Sequence, residues 1–203
     1  MNAPKKTVEQ PASFEFNAEN KERAKKIVAK YPAGRQKSAV MPLLDLAQRQ
    51  HNGWLPRAAM DYVGAMLDMA PIRVYEVASF YTMYNLAPVG KHHVQVCTTT
   101  PCWVRNSDAV VEACRKTLGI DVGETTADGK FTLSEAECLG ACVNAPMMQI
   151  GDDYYEDLDA ATTQRVLEAF KRGETPKPGP QNGRSTSEPM GGRKTLLAKS
   201  GGG

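Results

Sequence analysis

The sequence predicts an α+β protein: an N-terminal helical bundle over residues 17–88 followed by a smaller α/β sandwich over residues 89–172. Two observations carry this. Up to Leu86 apolar residues recur at the three- and four-residue spacing of helices packed on one face. From Lys91 that spacing gives way to the alternation of a strand, then to shorter elements of mixed type. The stretches on either side, residues 1–16 and 173–203, are polar and rich in turn-forming residues, and both are expected to be disordered.

A first helix is expected around Asn17 to Lys30, ended by Tyr31-Pro32-Ala33-Gly34. Val40, Leu43, Leu44 and Ala47 form the stripe of a second, behind a Ser38 cap, with Pro42 tolerated in its first turn. Ala59, Val63, Met66 and Leu67 mark a third, opened by Pro56. Val74, Val77, Ala78 and Tyr81 mark a fourth, set off by Pro71.

In the second region His93 to Thr98 alternates as a strand with Val94 and Val96 on one face. Asp108 to Leu118 reads as a helix with Val110, Ala113, Cys114 and Leu118 on one side. Phe131 to Leu133 is a short strand after a polar turn region at 123–129. Met147–Ile150 and Asp153–Glu156 form a hairpin turning at Gly151-Asp152. A last helix runs from an Asp159 cap to Arg172, with Thr163, Val166, Leu167 and Phe170 inward. The order strand, helix, strand, strand, helix suits an α/β sandwich of the thioredoxin type. The 173–203 tail holds five Lys/Arg and two Glu, a net charge of +3, and deletion of residues 175–203 is expected to leave the metal centre and the fold unchanged.

Composition excludes several classes of function. The 203 residues carry a net charge of only +2, and no basic cluster is interleaved with aromatics, so nothing points to nucleic acid. No apolar run approaches the roughly 20 residues that span a bilayer. The first 16 residues have no apolar centre and no Arg, and they carry Glu9 and Glu15, unlike a secretory or mitochondrial leader. The expectation is a soluble, cytosolic, prokaryotic protein. Five cysteines, an odd number, argue against a secreted disulfide framework and for metal or redox chemistry in a reducing compartment.

Four of those cysteines come in two close pairs. Cys97 and Cys102 are spaced C-x4-C, Cys138 and Cys142 C-x3-C, with 35 residues between the pairs. Each pair sits in a turn-rich stretch, Cys97-Thr-Thr-Thr-Pro-Cys102 and Cys138-Leu-Gly-Ala-Cys142. Two short loops, each offering two thiolates, meet the needs of a four-coordinate metal centre. A strand-to-helix turn between Cys97 and Cys102 would aim backbone N–H groups at the sulfurs and stabilise their negative charge. Gly140 would let the backbone approach a cluster without a Cβ clash. Trp103, Val143, Met147 and Met148 would shield the sulfurs from water, or serve as ordinary core.

Zinc sites favour C-x2-C pairs, and a thioredoxin-like redox disulfide needs C-x-x-C, which is absent. Plant-type ferredoxins use C-x4-C-x2-C, but Arg105 stands at the third position here. Spacing alone therefore favours a [2Fe–2S] cluster over structural zinc without excluding zinc. Cys114 falls on the apolar stripe of a helix and is read as a buried inert thiol. His51, His92 and His93 receive no catalytic role, and no phosphate-binding or dinucleotide-binding glycine motif is present.

The run Cys97-Thr-Thr-Thr-Pro-Cys102-Trp103, then Glu137-Cys138-Leu-Gly-Ala-Cys142-Val-Asn-Ala-Pro-Met-Met-Gln-Ile, then Asp152-Asp-Tyr-Tyr-Glu156, resembles the 24 kDa subunit family of bacterial NADH:quinone oxidoreductase, respiratory complex I. His51-Asn-Gly-Trp54 and Val77-Ala-Ser-Phe-Tyr-Thr-Met-Tyr84 fit the same family, and the likeness covers about residues 15–172. The resemblance implies a helical bundle followed by a thioredoxin-like [2Fe-2S] ferredoxin domain. It implies one [2Fe-2S] cluster held by Cys97, Cys102, Cys138 and Cys142, and a redox component with no complete active site of its own. It further implies a partner flavoprotein that binds FMN and NADH, a neighbouring iron–sulfur subunit, and a place in a peripheral arm on the cytoplasmic face of the bacterial inner membrane. In this family the cluster takes an electron from reduced flavin rather than passing it on towards quinone. The alternatives are the equivalent subunit of an NAD-linked hydrogenase or formate dehydrogenase diaphorase module, and a zinc-stabilised adaptor.

Overall fold

The computed structural model describes residues 8–192 and residue 195. The chain forms two compact units that divide between Val89 and Gly90.

The first unit is helical. α1 (Ala18–Val28) starts where the Asn17 side chain accepts the Asn20 N–H, 2.8 Å away. A 3₁₀ turn at Gln36–Ala39 leads into α2 (Val40–Gln50), so the Ser38 cap expected from the sequence is replaced by a tighter turn. α3 (Arg57–Met66) follows Pro56, and α4 (Pro71–Phe80) carries its proline in the first turn, where a missing N–H costs nothing. Phe16, Leu43, Leu44, Leu55, Val63 and Val74 close the core. Met66 and Tyr81, expected inward, are each 40% exposed, because α3 and α4 end at Met66 and Phe80 and the stripe turns outward in the last turn.

The disordered stretch expected at 1–16 needs correction over its described part, residues 8–16. Phe16 is buried, and it and Phe14 meet the Tyr62 ring edge-on. Gln50 fastens this segment: its Nε2 donates to the Glu15 carbonyl and its Oε1 accepts from the Asn17 N–H and from Asn20 Nδ2. Two aromatics two residues apart on an extended chain contribute enough buried area to order it. Residues 1–7 lie outside the described residues.

The second unit is a five-stranded mixed sheet of β1 (His92–Cys97), β2 (Phe131–Ala136), β3 (Met148–Ile150), β4 (Asp153–Glu156) and β5 (Gly179–Pro180), in the order β2-β1-β3-β4-β5. β1 (His92–Cys97) runs parallel to β2 (Phe131–Ala136), and the crossover this requires is made by α5 (Thr100–Val104) and α6 (Ser107–Leu118). β3 (Met148–Ile150) lies antiparallel to β1, with Val96 opposite Met148, and turns into antiparallel β4 (Asp153–Glu156), the hairpin expected from the sequence. α7 (Ala160–Lys171) packs against α6, and Val110, Cys114, Val166, Leu167 and Phe170 share one core with Val94, Val96, Leu133 and Tyr155. Gly90 sets the start of β1: a Cβ there would fall 2.7 Å from the Phe131 carbonyl carbon.

Two features differ from the sequence-based expectation. The helix expected over Asp108–Leu118 is present as α6, but a short helix that was not expected, α5, precedes it, and Asn106, at φ +70°, separates the two. The stretch from 173, expected to be disordered, follows a defined course through its described residues. β5 (Gly179–Pro180) pairs with β4, the Gln181 N–H donates to the Glu156 carbonyl, and the Arg184 guanidinium is buried against Asp157. These contacts are polar and long-range, and so leave no trace in apolar periodicity.

Candidate metal centre

The four paired cysteines come from three places. Cys97 is the last residue of β1 and Cys102 lies inside α5, and both are buried. Cys138 and Cys142 sit on the connection from β2 to a 3₁₀ turn at Cys142–Asn144, and both are exposed. Parallel pairing of β1 with β2 sets Cys97 opposite Ala136, so both loops leave the same end of the sheet. The cis peptide Ala145–Pro146 then returns the chain to β3.

The sulfurs group two by two. Cys138 Sγ and Cys142 Sγ are 3.6 Å apart, and the Cys97 and Cys102 thiols are hydrogen-bonded to each other. Two sulfurs on one tetrahedral centre with bonds of about 2.3 Å stand about 3.8 Å apart, so the Cys138–Cys142 pair has the bite of one metal ion. Thr99 joins the pairs: its hydroxyl is 3.4 Å from Cys97 Sγ and also reaches the Cys138 thiol. Among the described residues no three His, Cys, Asp or Glu side chains converge on a single ion position.

Within each pair one thiol is held below its ordinary value and the other is raised above it. Burial pushes the Cys97 thiol up, but the Thr99 hydroxyl and the N–H groups of Leu139 and Thr99 outweigh it and hold it below its ordinary value. Burial, then the Cys97 neighbour, pushes Cys102 up to about 12, against the Met147 N–H that favours its thiolate. The Gly140 N–H, then Cys142, lowers Cys138, while Cys142 is raised, first by Cys138 and then by burial. The Gly140 backbone, at φ +82°, suits a residue without Cβ and turns its N–H towards Cys138.

The chain's residues fit a thiolate-bound cluster: four cysteine sulfurs, each with a backbone N–H directed at it. Leu139, Ala141, Ala145, Met147 and Tyr154 pack around Cys97 and Cys102. Of the four expected shielding residues only Met147 belongs to this cluster. Met148 faces the sheet core, and Trp103 and Val143 are 61% and 65% exposed, so these two are neither shield nor core. Cys114 is fully buried between α6 and the sheet, with its thiol pushed up to about 12 by burial, as an inert thiol would be.

The histidines lie elsewhere. His51 meets Trp54 and Phe14, His92 lies between Phe131 and Phe170, and His93 Nε2 is 2.8 Å from Ser134 Oγ. Sequence reasoning missed Thr99 and Tyr154 as supports of the site. Thr99 stands in a run of three threonines with nothing to single it out, and the reach of Tyr154 depends on how the β3–β4 hairpin folds back. Among the described residues no helix is long and apolar enough to cross a membrane.

Comparison with known proteins bears on the same region. The sequence profile of the family described as thioredoxin-like [2Fe-2S] ferredoxin matches residues 24–171. The E subunit of the NADH-quinone oxidoreductase of Rickettsia typhi is 57% identical over 158 residues, covering 78% of this chain and 93% of that protein. The mitochondrial NADH dehydrogenase [ubiquinone] flavoprotein 2 of Dictyostelium discoideum is 54% identical over 184 residues, covering 91% of this chain and 74% of that one. Among solved structures, an NAD+-reducing [NiFe]-hydrogenase is similar in fold, with a TM-score of 0.55 and 21% identity over 64% of this chain and 23% of that chain.

Proposed function

The chain belongs to the thioredoxin-like [2Fe-2S] ferredoxin family, and from that premise we propose that it is the electron-transfer subunit in the NADH dehydrogenase module of an NADH:quinone oxidoreductase, with one [2Fe–2S] cluster held by Cys97, Cys102, Cys138 and Cys142. The observation that carries the reading is the grouping of four thiols into two pairs linked through Thr99, with Cys138 and Cys142 at the bite of one iron. The identity of 54–57% to proteins named as components of NADH dehydrogenases supports the host complex.

When bound, the cluster supplies one-electron transfer. The residues of this chain provide its setting. Cys97 and Cys102 hold the buried side, where Met147, Leu139 and Ala145 exclude water. The N–H groups of Thr99, Leu139, Gly140 and Met147 stabilise negative charge on the sulfurs. Cys138 and Cys142 face outward, the side from which a flavoprotein carrying FMN and NADH would exchange an electron. A neighbouring iron–sulfur subunit and a place in a peripheral arm on the cytoplasmic face of the bacterial inner membrane complete the proposal.

The likeness to the hydrogenase, at 21% identity, speaks to fold alone, so the diaphorase reading stands second. Affinity purification of the tagged chain from its native membranes separates the two. The proposal expects an FMN-containing flavoprotein to co-purify, with NADH oxidation coupled to a quinone acceptor. Co-purification with hydrogenase chains, or isolation without FMN and without NADH oxidation, would overturn it.

A further inference from the structure

The last described segment of the chain is fastened to the loop that bears Cys142. Arg184 Nη2 donates to the Val143 carbonyl at 2.9 Å, one residue after Cys142. The same guanidinium grips both oxygens of Asp157 through Nε and Nη2, and its Nη1 reaches the Glu188 carbonyl at 3.4 Å. Its side chain is 9% exposed and that of Asp157 is 4% exposed, so this is a buried pair rather than a surface one.

Around this pair the loop is held by a second set of bonds. Asn144, 1% exposed, donates from Nδ2 to the Thr186 carbonyl at 2.7 Å and to Asp157 Oδ2 at 3.3 Å. The Asn144 carbonyl accepts the Asp157 N–H, and the Pro146 carbonyl accepts the Leu158 N–H. Asp157 adopts φ +52° and Thr186 φ +46°, backbone conformations that L residues rarely take without local support. Arg184 is the one group in this set that joins the Val143 carbonyl, Asp157 and Glu188 at once, as only a planar five-donor fork can.

We infer that Arg184 is a positioning residue for the metal centre: it clamps the 142–146 loop through Val143 and Asp157 and so fixes where the Cys142 sulfur stands. This rests on the cluster reading above. Because Asp157 balances its charge, Arg184 acts through geometry. Without the clamp the exposed Cys142 gains freedom, and the iron it shares with Cys138 becomes easier to extract.

The test uses the full-length chain loaded with iron and sulfide. Three proteins are compared: wild type, the double variant Asp157→Asn with Arg184→Gln, which leaves no unpaired buried charge, and Arg184→Lys, which keeps the charge but not the fork. Two readouts are followed, the rate of iron release to a chelator and the g values of the reduced cluster. Loss of an outer partner of a ligand loop costs about ten- to a hundred-fold in metal retention. The expected result is release at least about tenfold faster in both variants, with displaced g values. Arg184→Lys decides the matter if the double variant does not fold. A wild-type chain that assembles no iron and sulfide overturns the cluster reading and this inference with it. Wild-type release rates and unchanged g values in the variants overturn this inference alone.

Discussion

The Tyr154 hydroxyl donates to the Leu139 carbonyl at 2.8 Å, while the Leu139 N–H is directed at the Cys97 sulfur. One residue of the second cysteine loop thus connects the β3–β4 hairpin to a thiol of the first. Tyr154→Phe removes the outer bond and keeps the ring in place. The expected cost is about 1 kcal/mol of stability, with a lower reduction potential for the centre as the Leu139 N–H loosens. Thermal melting and a redox titration followed by EPR check both; an unchanged potential would mean that the hydroxyl does not steer Leu139.

Substitution by Ser at Cys97, Cys102, Cys138 or Cys142 is expected to disturb or abolish the visible spectrum of the assembled centre. Cys114→Ser is expected to leave it intact, because that thiol is fully buried in the core shared by α6, α7 and the sheet. Absorption spectra after anaerobic reconstitution decide this. Bleaching by Cys114→Ser would mean that the ligand set is wrong.

Asp159 opens α7 with a reciprocal cap: its carboxylate accepts the Thr162 N–H at 2.7 Å, and its own N–H donates to the Thr162 hydroxyl at 2.8 Å. The Thr162 N–H, then the Thr162 hydroxyl, holds the Asp159 carboxyl below its usual value of 3.8. A lowered folded-state value means that the ionised group stabilises the fold above that usual value, and that the gain is lost as pH falls through the folded one. Asp159→Ala is therefore expected to cost about 1 kcal/mol at neutral pH and less in strong acid. Urea melts at pH 7 and near pH 3 check it, and an equal loss at both would contradict the cap as the cause.

Phe16 anchors the entry segment to the helical unit, 2% exposed and edge-on to Tyr62 at 5.4 Å between ring centres. Phe16→Ala is expected to destabilise that unit by about 3–5 kcal/mol. Denaturant unfolding measures it. A loss below about 1 kcal/mol would show that the segment is a loose arm, as its polar, turn-rich composition suggests.

Where apolar periodicity decides structure, it was legible. The α7 stripe of Thr163, Val166, Leu167 and Phe170 is buried as expected, and the Gly151-Asp152 turn joins β3 to β4. The cysteine pairs were legible because spacing within a loop is local. What escaped was held by polar bonds between distant residues. Gln50 reaches back 35 residues to the Glu15 carbonyl, and Arg184 reaches 27 residues to Asp157. Neither residue stands out in the sequence, since glutamine at a helix end and arginine in a Gly/Pro-rich stretch are ordinary on a solvated surface. The break at Asn106 escaped for another reason: Asn tolerates the left-handed region without requiring it.

Iron, acid-labile sulfide and zinc per chain, measured on anaerobically purified protein together with an EPR spectrum after dithionite reduction, test the central claim most directly. The account predicts about two irons and two sulfides per chain and the rhombic signal of a reduced binuclear cluster. About one zinc with no sulfide and no signal, and no uptake of iron and sulfide on anaerobic reconstitution, would contradict it and leave a structural zinc site in its place.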